Sequence, residues 1–350
     1  LMNLDAPFLN NVFTWPEAAK TSYKLTTDEI RVRTSFWTAN DPIATVFVFP
    51  GRADYIEKYG GLANFCLRNN FNVIALDWRG QGLSDRLLDD KNIGHIEDFK
   101  NYQNDVEVII KEAEDANLVK PWIIFAHSMG GLIGVRTLQD LLVFEKVVFT
   151  SPMWGIQMPP ILKSGASIIM SLISLIGKME TYAPTASPET RILNEEYEFN
   201  KLTSDIQNFK LLRQQIIQYP DLQIGGPSTA WVSAALNEIE FQIGNEPPVT
   251  PALCFLGDKD QIIDNLAVRE FCKKWDSCDL VSIPEAKHDL LMEKKMISHR
   301  AGRWAFNEIL LGGLCPSRPL ACIHKCTHTD LQLIFMRPVM TCWGDCALPD

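Results

Sequence analysis

The sequence predicts an α/β fold: a mostly parallel sheet with helices on both faces and a helical cap inserted before the last strands. Runs that are apolar throughout recur along the chain, as in residues 44–49 (ATVFVF) and 71–76 (FNVIAL). Stretches with helical apolar spacing separate them, which is how strands buried on both faces of a parallel sheet read. The alternation stops near Gly155 and resumes after Pro247, so the helical text between reads as an insertion into one sheet.

In order, residues 30–37 alternate moderately and read as an early strand, and 44–49 as a buried strand ending at Pro50 and Gly51. Residues 55–67 look helical, and the strand 71–76 ends at Asp77. Tyr102, Val106, Ile109 and Ile110 carry the helical period of 99–116. A strand at 122–125, a helix over about 129–142 and a strand at 146–150 follow. Beyond the insertion come a strand at 252–256, a helix at 265–274, a strand at 280–283 and a last helix over about 292–311. The division expected is a first core segment 1–154, a cap 155–247, a second core segment 248–312 and a tail 313–350.

Lys and Arg total 33 against 43 Asp and Glu, a formal net charge of -10. Nucleic-acid binding needs a cationic footprint, so that class is excluded. Long-range attraction to anionic lipid is absent too, and any membrane contact would have to be transient, local and hydrophobic. Residues 1–20 do not read as a secretory signal, and no run reaches the roughly 20 apolar residues of a membrane span. Cys66, Cys254, Cys272 and Cys278 are scattered through the body, which reads as reduced, cytoplasmic usage. Cys315, Cys322, Cys326, Cys342 and Cys346 instead crowd the tail with His324 and His328, without apolar periodicity. Their spacing matches neither a zinc knuckle nor a finger, so the tail reads as a disordered or non-native extension.

The chemistry starts at Ile123-Ile124-Phe125-Ala126-His127-Ser128-Met129-Gly130-Gly131. A strand that runs into a serine and then two glycines is the form of a nucleophile elbow, a tight turn that lifts the hydroxyl above the sheet. Such a serine needs a base, and the base an acid, in the chain order serine, acid, histidine. His288 alone lies downstream in a loop at a predicted strand end; His127 adjoins the serine, His95 precedes it and His299 falls in the last predicted helix. Asp258, Asp260 and Asp264 all follow the strand 252–256. Asp260 is favoured over Asp258 because Ile262 and Ile263 would lock its loop onto the core. The bland reading of the other carboxylates is a solvated loop and a helix N-terminus. Oxyanion donors are expected from the backbone N–H of Met129 and, after the flexible Gly51, of Arg52. The turn Arg79-Gly80-Gln81-Gly82 lacks the features of a phosphate cradle and reads as structural.

Over about residues 44–311 the chain resembles α/β-hydrolases of the group containing bacterial lysophospholipases and monoacylglycerol lipases. The likeness rests on Phe49-Pro50-Gly51-Arg52 with Tyr55 and Tyr59, Asp77-Trp78-Arg79-Gly80-Gln81-Gly82-Leu83-Ser84, the Ser128 elbow, Ser151-Pro152-Met153-Trp154-Gly155 and Gly225-Gly226-Pro227-Ser228 with Trp231. The resemblance implies Ser128 as nucleophile, Asp260 as acid and His288 as base. Ala126 stands where the usual elbow has glycine, and Pro50 where monoacylglycerol lipases tend to have histidine. Both departures look like the lysophospholipase branch. The expectation is a serine hydrolase of lipid carboxylic esters that needs no metal or organic cofactor and implies no protein partner. Trp231 is expected to line the substrate site from the cap; the apolar run 161–179 reads either as a helix packed within the cap or, as favoured here, as the wall of an acyl-chain site. A short-chain carboxylesterase or monoacylglycerol lipase is the alternative, and a non-catalytic receptor on the same scaffold the reading from another class.

Overall fold

The computed structural model describes residues 4–9, 11–16, 19–158, 173, 175 and 177–294. Most of the apolar run at 161–179, nearly all of the last predicted helix and the cysteine-rich tail lie outside these residues.

Nine strands form one sheet among the described residues: β1 (Leu4–Asp5), β2 (Lys20–Leu25), β3 (Arg31–Trp37), β4 (Ala44–Phe49), β5 (Phe71–Asp77), β6 (Trp122–His127), β7 (Lys146–Thr150), β8 (Ala252–Gly257) and β9 (Cys278–Ile283). Their spatial order is β1-β2-β3-β5-β4-β6-β7-β8-β9. From β5 to β9 every pairing is parallel, whereas β1, β2 and β3 join antiparallel at one edge. The predicted strands are all present. The sequence reading missed β1 and β2, because β1 is only two residues long and the polar strand KTSYKL lacks the apolar run of a central strand. Its register is fixed instead by pairing with β3, as in Thr21 opposite Ser35.

The helices are α1 (Gly60–Arg68), α2 (Tyr102–Asp115), α3 (Met129–Asp140), α4 (Ile206–Gln218), α5 (Thr229–Gly244) and α6 (Asn265–Lys274), with a shorter helical turn at Arg191–Asn194. The helix expected at 55–67 is divided into a 3-10 turn, Ile56–Tyr59, and α1. Strand β4 shows how the core is split by the period of two. Phe47 and Phe49 point into one cluster with Ile74, Tyr102, Val106 and Leu132. Val46 and Val48 point into the other with Ile56, Ala63, Cys66 and Val73. Each fully buried side chain of this size contributes about 1.5–3 kcal/mol, so both faces of β4 are held strongly.

Between β7 and β8 the described residues hold helices and no strand. Asp205 caps α4 by accepting from the Gln207 and Asn208 amides, and Ser228 caps α5 by accepting from the Trp231 amide. In α5, Trp231, Ala234 and Ala235 join the main core. Arg136 of α3 grips Glu238 of α5 through two bonds of 2.7 and 2.6 Å. In α4, Phe209, Leu212 and Ile216 pack instead with Leu222, Tyr55 and Met292. No helix among the described residues is long and apolar enough to cross a membrane.

Candidate active site

The carboxyl ends of the parallel strands meet where such sheets bind ligands. Strand β6 delivers Ser128 there with φ 51 and ψ -115, a conformation a side chain rarely adopts. Backbone bonds on both sides hold it: Ser128 N donates to Thr150 O at 3.1 Å, and Met153 N donates to Ser128 O at 2.9 Å. Strain of this kind persists only where the surroundings over-determine it. The following glycines are steric necessities. A Cβ on Gly130 would stand 2.1 Å from Phe49 O, and one on Gly131 2.6 Å from Pro152 Cβ.

His288 Nε2 is 2.9 Å from Ser128 Oγ, and His288 Nδ1 is 2.7 Å from Asp260 Oδ2. The three groups are nearly buried, at 8, 4 and 8% exposure for Ser128, His288 and Asp260. Burial alone would raise the Asp260 pKa, but His288 and the amides of Ile262 and Ile263 outweigh it and hold it below the ordinary value. An ionised Asp260 can only accept, so His288 donates from Nδ1, and the neutral ring offers Nε2 to the serine proton. Asp260 Oδ1 also accepts from Ile262 N at 2.8 Å and Ile263 N at 3.3 Å, and the Ile263 side chain is in the core. Asp258 is exposed, and Asp264 caps α6. His127 Nδ1 lies 3.1 Å from both Thr150 O and Thr150 Oγ1, and its ring centroid stands 5.1 Å from that of His288.

Gly51 brings the neighbouring loop against the elbow. A Cβ there would meet His127 Cδ2 at 2.9 Å and Ser128 Cβ at 3.3 Å. Among the described residues, no turn or cap hydrogen bond uses the N–H of Arg52 or of Met129. The Arg52 guanidinium runs toward the inserted helices: Nη2 donates to Gly225 O at 2.6 Å, and Cζ lies 5.3 Å from the Trp231 ring centroid. Burial pulls its pKa down to about 10, with the like charge of Arg191 adding to the effect against Tyr102. Trp231 is buried edge-on to Phe99, with ring centroids 5.6 Å apart.

The Arg79-Gly80-Gln81-Gly82 turn braces this loop from below. Gln81 Nε2 donates to Gly51 O at 2.8 Å and to Asp54 O at 3.1 Å. The turn itself is tied to Asp77, which accepts from the Leu83 amide and pairs with the fully buried Arg33. Sequence reasoning missed a further buried group, Asp54, Lys58 and Asp289, at the back of the site. The signals were the four-residue spacing of Asp54 and Lys58 in the turn after Gly51, and the place of Asp289 next to His288.

With the geometry in hand, the chain's kinship is plain. A model of the serine aminopeptidase S33 family matches residues 40–295, and the chain belongs to that family. It is 28% identical over 246 residues to a protein named probable lysophospholipase L2 of Haemophilus influenzae, covering 70% of this chain and 76% of that one. Lysophospholipase L2 of Escherichia coli K12 is 28% identical over 278 residues, covering 76% and 80%. Among solved structures, monoglyceride lipase of Saccharomyces cerevisiae superposes with a TM-score of 0.64 at 16% identity, over 87% of this chain and 97% of that one. That likeness establishes the α/β-hydrolase fold.

Proposed function

We propose that this protein is a serine hydrolase that cleaves carboxylic esters of lipids, in the manner of a lysophospholipase, through an acyl-enzyme intermediate. The observation that carries the reading is the line of short contacts from Ser128 Oγ through His288 to Asp260. Ser128 Oγ attacks the ester carbonyl carbon as its proton passes to His288 Nε2, and Asp260 steadies the imidazolium. The amides of Met129 and Arg52 receive the oxyanion. Losing one such donor typically costs about 2.7–4 kcal/mol. Collapse of the tetrahedral intermediate breaks the bond to the alcohol oxygen, which takes the proton from His288. Water, deprotonated by His288, then attacks the acyl carbon; collapse breaks the bond to Ser128 Oγ, which takes the proton back from His288, and the fatty acid leaves. No step calls for a metal or organic cofactor.

The lipid assignment is supported by the names of the relatives in H. influenzae and E. coli. In this reading residues 155–247 form a cap, Trp231 contributes to the substrate site through Arg52, and contact with a lipid surface is transient. A fluorophosphonate probe should label the folded parent and leave Ser128→Ala unlabelled; an unlabelled parent sinks the catalytic reading and favours a receptor. Lysophosphatidylcholine, a monoacylglycerol, a short aryl ester and an aminoacyl arylamide, assayed side by side, test the substrate. Cleavage of the short ester alone makes the protein a general esterase, and cleavage of the arylamide alone an aminopeptidase.

A further inference from the structure

Asp54, Lys58 and Asp289 form a buried charged cluster against the site. Lys58 Nζ is 2.5 Å from Asp54 Oδ1 and 2.5 Å from Asp289 Oδ2. Side-chain exposure is 5% for Lys58, 9% for Asp54 and 1% for Asp289, so water does little to support these charges. Burial disfavours the ammonium, but the two carboxylates outweigh it and hold the Lys58 pKa above its ordinary value. Burial would likewise raise Asp54, and Lys58 and His127 together keep it low.

Each carboxylate belongs to a different part of the machinery. Asp289 directly follows His288, and among the described residues its carboxylate has no hydrogen-bond donor besides the Lys58 ammonium, which is what holds it. Asp54 Oδ2 accepts from Gly51 N at 2.9 Å and from the Tyr59 hydroxyl at 2.7 Å, while Tyr59 Oη is 3.2 Å from the same Gly51 N. Gly51 precedes the Arg52 amide. A continuous path therefore runs from His288 through Asp289, Lys58, Asp54 and Gly51 to Arg52. Apolar residues of similar volume often serve stability as well as a buried ion group does. Stability is thus a weak reason for charges here, and their place between two functional loops is a stronger one.

We propose that Lys58 is a positioning residue that ties the His288 loop to the oxyanion loop, so that base and oxyanion donors keep one register around Ser128. The inference rests on the serine-hydrolase reading and adds to it a residue that never touches substrate. Misplacing a reacting group by about 1 Å can cost about a hundredfold in rate, and that is the loss expected in kcat for Lys58→Met. KM for a short aryl ester should stay within about threefold, because the substrate contacts are left in place. The rate of fluorophosphonate labelling of Ser128 should fall in parallel with kcat.

Asp54→Asn and Asp289→Asn give a second test that does not depend on Lys58→Met folding. If Lys58 couples the loops, each variant lowers kcat and the double variant is no worse than the poorer single one. Losses that multiply in the double variant would show two independent local supports and overturn the proposal. So would a cooperatively melting Lys58→Met protein with kcat within about twofold of the parent, or one whose loss lies in KM alone. A parent that the probe fails to label sinks the hydrolase reading and this inference together. A parent that labels beside an equally fast Lys58→Met protein sinks the inference alone.

Discussion

Gly130 lies so close to Phe49 that a Cβ on it would stand 2.1 Å from the Phe49 carbonyl oxygen and 2.6 Å from that of Pro50. Backbone oxygens at the end of a central strand cannot swing aside as a side chain can. Gly130→Ala is expected to destabilise the protein by about 3 kcal/mol, the upper end for an overpacked core. It should also lower esterase activity by displacing Ser128. Urea unfolding with a parallel assay checks this, and a variant as stable as the parent would show that α3 can retreat from β4.

The acid is tested by comparing two carboxylates two residues apart. Asp260→Asn leaves the shape of the site intact but removes the acceptor that fixes the His288 tautomer. In a serine protease the equivalent change costs about ten-thousand-fold in kcat, and a loss of that order is expected here. Asp258 is exposed, and among the described residues it is Asp260 that meets His288 Nδ1, so Asp258→Asn should stay close to the parent. The reverse ranking in kcat would move the acid to Asp258.

His127 makes stability depend on pH. Burial pushes its imidazole from 6.5 down to about 4, opposed by Asp289 and Asp54 and reinforced by Lys58 and His288. Between those values the unfolded chain binds a proton that the folded chain refuses, so stability falls as pH drops from 6.5 towards 4 and then levels off. From pH 7 to pH 5 the loss from this group should be about 2 kcal/mol. Asp105, raised by burial to about 6 against the pull of Arg79, works in the opposite direction but does so equally in a His127→Gln variant. The parent should therefore lose about 2 kcal/mol more than His127→Gln over that interval by denaturant titration; equal losses would contradict it.

Two adjacent glycines should respond in opposite senses. A Cβ on Gly61 meets nothing within 4 Å, so Gly61→Ala should stabilise α1 by about 0.5–1 kcal/mol through helix propensity. A Cβ on Gly60 would stand 2.6 Å from Thr14 O and 2.8 Å from Trp15 Cε2, so Gly60→Ala should lower the melting temperature. The two melting curves, recorded together, separate propensity from packing.

The parallel sheet, the strand ends and the order of Ser128, Asp260 and His288 were all legible in the amino-acid sequence. Apolar runs can be read without partners, and the elbow announces itself by serine followed by glycines. The short β1 and the polar β2 could not be read that way, because pairing within the sheet makes them strands. Choosing Asp260 over Asp258 was a packing argument in the sequence; the distance to His288 Nδ1 is its geometric counterpart. Tertiary structure alone brought Lys58 between Asp54 and Asp289, which stand 235 positions apart in the numbering. A lysine and two aspartates look like ordinary surface residues until the fold removes the water around them. The chain encodes which groups can react, and the fold decides which charges are left to hold them in place.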